Sequence, residues 1–86
     1  MKYYQRQWSE KRGDEYDNWG TSNWYFEIDE KGFPVRQIEK YENGKVLKYD
    51  LENMEDEFGE LGEQKIEFEE FAEFEITKEE FIKEWK

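Results

Sequence analysis

The sequence predicts an α+β fold: an antiparallel β-meander of three to four strands with a short C-terminal helix packed on one face, forming a single domain over residues 1–86. Three observations predict it. Two glycine-containing turn signals, Asp29-Glu30-Lys31-Gly32 and Asn43-Gly44, cut residues 24–51 into three alternating segments. A capping box, Thr77-Lys78-Glu79-Glu80, opens a short amphipathic stretch near the C-terminal end. And although 43% of the residues are charged, 20% are aromatic, so a core built from seven Phe, six Tyr and four Trp replaces the usual aliphatic one.

Taken in order, residues 2–8 (KYYQRQW) alternate Tyr4 and Trp8 against Tyr3, Gln5 and Gln7, which predicts a strand joining the sheet as its fourth member. Residues 9–23 form a long, turn-rich segment carrying Tyr16 and Trp19. A loop of that length in a small domain is either functional or held down by its own rings, and Tyr16 and Trp19 are candidates for both roles.

In residues 24–51 an Asn-Gly type I′ turn pairs Glu42 with Lys45, so that Ile38 faces Tyr49, Arg36 faces Leu51 and Glu39 faces Lys48. A three-residue loop closed by Gly32 places Phe26 opposite Arg36 and Trp24 opposite Ile38. Both registers then put Trp24, Phe26, Ile28, Ile38, Leu47, Tyr49 and Leu51 on one apolar face. Tyr25, Glu27, Val35, Gln37, Glu39, Tyr41, Val46, Lys48 and Asp50 fall on a half-polar face that is solvated or binds something. Pro34 has no ladder donor, which predicts an edge or a bulge beside it.

After Leu51 the chain becomes acidic and irregular. A short strand at 66–68 followed by a turn around the sheet edge is expected there. Phe81, Ile82 and Trp85 form the stripe of a short helix, which must gain its stability by lying on the Trp24/Phe26/Ile38 face.

The formal charge is −11, and residues 52–86 hold four Lys against fourteen Asp/Glu. Such a surface repels nucleic acid and anionic membranes and steers toward basic partners; the alternative is a solubilising face. With no Cys and no His, disulfides, thiolate metal sites and Ser-His or Cys-His nucleophilic catalysis are excluded. Glycine loops for phosphate and the spacing of a calcium loop are missing too, so neither an enzymatic activity nor a cofactor or metal is expected. No apolar run is long enough for a signal peptide or a membrane span, and a cytoplasmic location is the expectation. Arg36 stands out because its register aims a guanidinium at the ring-lined face. It is either ion-paired to a C-terminal Glu with a cation–π contact or an anion site at the sheet's rim.

The stretch W-Y-F-E-I-D-E-x-G-x-P-V-R-Q-I-E-x-Y-E-N-G, from Trp24 to Gly44, resembles small acidic bacterial or phage proteins of a domain-of-unknown-function type. Their pattern is an S/W-x-x-E-I-D strand, a turn and an R-x-I-E-x-Y/F-x-x-G hairpin. The match covers the chain up to about Asp50 well and the acidic tail loosely. Such proteins are sometimes encoded near toxin and immunity genes. The resemblance implies that context and carries no catalytic residues.

Charge and resemblance together predict a protein-binding module of the immunity or inhibitor kind, which occludes a basic, nucleic-acid-handling partner by presenting carboxylates where phosphates would sit. The candidate contacts are Glu55, Asp56, Glu57, Glu60, Glu63, Glu67, Glu69, Glu70 and Glu73, with Tyr25 and Tyr41 as ring anchors. A small-ligand or peptide site around Trp19, Trp24 and Arg36, and a structural domain that self-associates through its sheet edges, are the alternatives.

Overall fold

The computed structural model describes residues 1–9 and 11–86. Strands β1 (Lys2–Trp8), β2 (Ser22–Ile28), β3 (Pro34–Tyr41) and β4 (Val46–Asp50) form the meander, and a short β5 (Glu75–Ile76) adds to the free side of β1. The sheet is therefore five-stranded and antiparallel, in the order β4-β3-β2-β1-β5. Helix α2 (Lys78–Trp85) covers one face; the irregular chain of residues 56–74, including the single-turn helix α1 (Phe68–Phe71), covers the other.

Neither central register is the expected one. At the β3–β4 turn Tyr41 N–H donates to Lys45 O at 2.9 Å and Gly44 N–H to Tyr41 O at 2.9 Å, closing a loop of Glu42, Asn43 and Gly44. Among the described residues only glycines take positive φ, so Asn43 keeps a negative φ and Gly44, at φ 92°, alone makes the left-handed turn. That extra loop residue moves the pairing by one: Gln37 faces Tyr49, Glu39 faces Leu47 and Lys48 faces Ile38.

At the β2–β3 turn the expected loop forms, with Asp29 N–H on Phe33 O at 2.9 Å and Gly32 N–H on Asp29 O at 3.0 Å. A bulge follows at once. Ile28 faces Pro34 but Glu27 faces Arg36, so Val35 is the inserted residue, beside the proline that flagged it. Beyond the bulge Phe26 faces Gln37 and Trp24 faces Glu39.

Both shifts act on β3, so β2 and β4 keep their relation to each other while β3 alone is turned over. Trp24, Phe26, Ile28, Leu47 and Tyr49 share a face as expected; Ile38 lies on the other one, and Leu51 is exposed beyond the strand. Gln37, Glu39 and Tyr41 are carried into the ring-lined face instead, where they are 1%, 4% and 7% exposed.

The helix is consequently seated on the opposite face from the one expected. Phe81 fits between Tyr3 and Ile38, with Tyr25, Ile76, Ile82 and Trp85 around it. Its start is the expected capping box: Glu80 N–H donates to Thr77 Oγ1 at 3.1 Å and Thr77 N–H to Glu80 Oε1 at 3.0 Å. The Trp24/Phe26 face is roofed by Ile66, Phe68, Phe71 and Phe74. No strand forms at 66–68, because Phe68, Phe71 and Phe74 recur every three residues and reach the sheet together from consecutive turns of α1 and a 3₁₀ turn.

Gly44 offers a clean test of the loop assignment. A Cβ there meets nothing within 4 Å, so Gly44→Ala suffers only from the left-handed backbone and should cost about 1–2 kcal/mol. Urea denaturation measures it; an unchanged midpoint would contradict the loop.

Candidate functional site

The acidic excess is confined to one layer. Residues 52–73 contain ten carboxylates and one lysine, a net of −9. Phe58, Leu61, Ile66, Phe68 and Phe71 point into the sheet from this segment, while Glu55, Asp56, Glu57, Glu60, Glu63, Glu67, Glu69, Glu70 and Glu73 are all exposed. The nine predicted contact acids therefore do lie on one covering layer. Asp56 differs from the rest, since its Oδ1 accepts from Phe58 N–H at 2.8 Å, Gly59 N–H at 3.1 Å and Tyr49 O–H at 2.9 Å and so shapes the loop.

The opposite face carries lysines. Lys40 pairs with Glu84 at 2.6 Å, Lys48 donates to Trp85 O at 2.7 Å, and Lys78, Lys83 and Lys86 lie along the helix. The molecule is thus charged unevenly: the 52–73 layer carries a large negative excess, while on the helix side Lys78, Lys83 and Lys86 are balanced by Glu79, Glu80 and Glu84.

Beneath the acidic layer, at the Tyr41 end of the sheet, a cleft of about 270 Å³ opens between the 12–14 loop and the 58–60 loop. It is lined by Arg12, Asp14, Trp24, Glu39, Tyr41 and the 58–60 loop. The turned-over β3 places Glu39 here: its Oε1 accepts from Tyr41 O–H at 2.5 Å and its Oε2 from Gln37 Nε2 at 2.8 Å. Burial pushes the Glu39 carboxyl above the ordinary range, against the pull of these two donors and of Arg12. Tyr41 O–H is raised as well, by burial and by the carboxylate it donates to. Gln37 ties the network to the covering layer, accepting from Gly62 N–H at 3.0 Å and donating to Glu60 O at 3.3 Å.

Arg12 closes one side of this cleft. It bonds Asp14 at 3.2 Å and the Phe58 carbonyl, and its guanidinium lies over Tyr16, Trp19 and Tyr41 at 5.2, 5.1 and 5.8 Å from the ring centres. Trp19 is packed on Tyr41 and Phe58, so it seals the end of the core.

The remaining predicted site residues do not come together. Trp19 and Trp24 lie on the acidic-layer side of the sheet, whereas Arg36 projects from the other face, so the ligand region drawn around these three does not exist as one surface. Tyr25 packs beside helix α2 and Tyr41 is buried in the core; neither stands on the acidic layer as an anchor.

The partner of Arg36 is also not a C-terminal Glu. It grips Glu27, its neighbour across the β2–β3 ladder, through Nε to Oε1 at 2.7 Å and Nη2 to Oε2 at 2.9 Å, while stacking 5.1 Å from the centres of both Phe81 and Trp85. Tyr3 O–H completes the arrangement with a 2.8 Å bond to Glu27 Oε2. With its charge matched in this way, Arg36 is a structural clamp under the helix. The bulge at Val35 was the missing signal, and Pro34 was its trace in the sequence.

Among the described residues no group of three or more Asp/Glu is placed to hold a metal ion, and no helix is long and apolar enough to cross a membrane. Compared with protein-family models, with curated proteins and with solved structures, the chain matches none.

Proposed function

We propose that this protein is a cytoplasmic binding module of the immunity or inhibitor kind, without catalysis, whose 52–73 layer covers the basic surface of a partner that handles nucleic acid. The observation that carries the reading is the concentration of charge: nine exposed carboxylates gather on one layer, while lysines and carboxylates along the helix on the opposite face balance. The likeness of residues 24–44 to small acidic bacterial and phage proteins agrees with this reading.

The layer is anchored by inward-facing rings, so the backbone that carries its carboxylates is positioned before binding. Association driven this way is fast at low salt and weakens as the Debye length shrinks from ~10 Å at about 0.1 M to ~3 Å at about 1 M.

A capture experiment from extract of the source cell tests it, with the protein immobilised in three forms. Wild-type protein and a Lys83→Gln/Lys86→Gln variant should retain the same basic protein at low salt and release it at high salt. A Glu67→Gln/Glu69→Gln/Glu70→Gln/Glu73→Gln variant should lose most of it, and the captured protein should lose its grip on DNA or RNA when bound. Equal capture by the carboxylate-depleted variant would refute the reading. Self-association through sheet edges is the weaker proposal, since β5 has two residues and β4 carries Lys48 on a five-residue edge.

A further inference from the structure

Glu39 is 4% exposed, yet among the described residues it forms no salt bridge with any Lys or Arg. Buried carboxylates are ordinarily matched by a cation or held neutral. Here the buried group also lines an open cleft. We propose that the cleft bounded by Arg12, Asp14, Trp24, Glu39, Tyr41 and Phe58 binds a primary alkylammonium group, the chemistry shared by a free amine and a lysine side chain.

Three features favour that class. Arg12, paired with Asp14 at 3.2 Å and donating to Tyr41 Oη at 3.4 Å, is the one cation of the lining against Asp14, Glu39 and Glu60, so the cleft keeps a negative excess that disfavours an anion. Each Glu39 oxygen accepts one neutral donor, and a carboxylate has lone pairs for more, so an ammonium can add without displacing Tyr41 or Gln37. The rings of Trp24, Tyr41 and Phe58 line the same space, where a flexible alkyl stem packs and a cation meets π-electron density. At about 270 Å³ the cleft has room for a short chain, given the ~30 Å³ that one water takes in the liquid.

The site also has a sign of pH dependence. Burial, aided by the nearby Asp56, raises Glu39 against Tyr41, Gln37 and Arg12, which lower it; protonation removes the charge that holds the ligand, so affinity should be level above the raised pKa and fall as pH drops through it. The inference goes beyond the acidic-layer reading and stands apart from it: a free amine can occupy the cleft whether or not a basic protein covers the layer.

Titration with n-butylammonium chloride tests it, followed at the Trp24 indole N–H by NMR at constant ionic strength, with n-butanol as the uncharged control. The expected result is a saturable shift with Kd on the order of 1–10 mM, lost by about tenfold or more in Glu39→Gln and weakened about twofold in Glu60→Gln. Cadaverine and N-acetyl-lysine methylamide distinguish the sources: tighter binding of the first points to a free amine, of the second to a protein side chain. Equal shifts with n-butanol, or unchanged binding in Glu39→Gln, overturn the proposal. Should Glu39→Gln not fold, the wild-type titration decides, because an affinity that stays flat from neutral pH to below about pH 4 would equally overturn it.

Discussion

Phe81→Ala is expected to bring this protein to the edge of unfolding at 25 °C. The ring is fully buried, with its centre 5.4 Å from Tyr3 and 6.1 Å from the stacked Trp85, and the Arg36 guanidinium lies 5.1 Å above it. Truncating a buried Phe typically costs ~3–5 kcal/mol, through lost transfer energy and the cavity left behind. A domain of 86 residues has roughly 4–13 kcal/mol in total, at about 0.05–0.15 per residue. An eight-residue helix has no stability of its own, so losing its anchor should release α2 as well and uncover Ile38. Urea denaturation followed by circular dichroism measures this. A loss below about 1 kcal/mol would mean that the helix is not seated on the sheet as described.

The second large effect concerns the clamp beneath that helix. Arg36→Met is expected to cost about 2–4 kcal/mol at neutral pH, because it leaves the Glu27 carboxylate, 11% exposed at the side chain, with Tyr3 as its remaining partner. The double variant Arg36→Met/Glu27→Gln should recover much of the loss, since it removes the stranded charge together with its partner. Recovery below about 0.5 kcal/mol would show that the cost lies in lost stacking on Phe81 and Trp85.

The two buried carboxyls contribute to the pH dependence with opposite signs, while Asp14, Asp29, Glu42 and Asp56, held below their ordinary values mainly by backbone hydrogen bonds, add to the acid limb. The Arg36 bidentate bond, opposed by burial, holds Glu27 below its ordinary value. Its contribution is therefore complete above the unfolded value of about 4.3 and is lost as pH falls through the lower folded value. Glu39 is raised by burial, so it destabilises the fold at neutral pH, and that penalty is relieved as pH falls from its raised folded value toward about 4.3. Stability measured against pH should thus hold or rise on mild acidification and then collapse. Glu27→Gln should flatten the acid limb and Glu39→Gln the limb above it.

How much of this was readable beforehand depends on the element. The strand at 2–8, the Gly32-closed loop and the capping box at Thr77 each rest on a local rule, and each formed as the residues imply. The covering segment was harder to read. Phe68, Phe71 and Phe74 fit neither strand nor helix period over a long run, because they sit on two successive short turns, α1 and a 3₁₀ turn, that only the sheet beneath holds together. The Glu39 cleft was invisible for another reason, since the registers derived from the turns placed Glu39 on the half-polar face.

What the sequence determined by itself was the four strands of the meander, the places where the chain reverses between them, the helix cap and the concentration of carboxylates between residues 52 and 73. Which side β3 shows to each layer was decided only by the tertiary structure. A single extra residue, at Gly44 in one loop and Val35 in one bulge, changes local energy very little but inverts every side chain beyond it. The inverted strand won because Ile38 then packs on Phe81, Arg36 meets Glu27, and Gln37 and Glu39 find hydrogen-bond partners under the acidic layer.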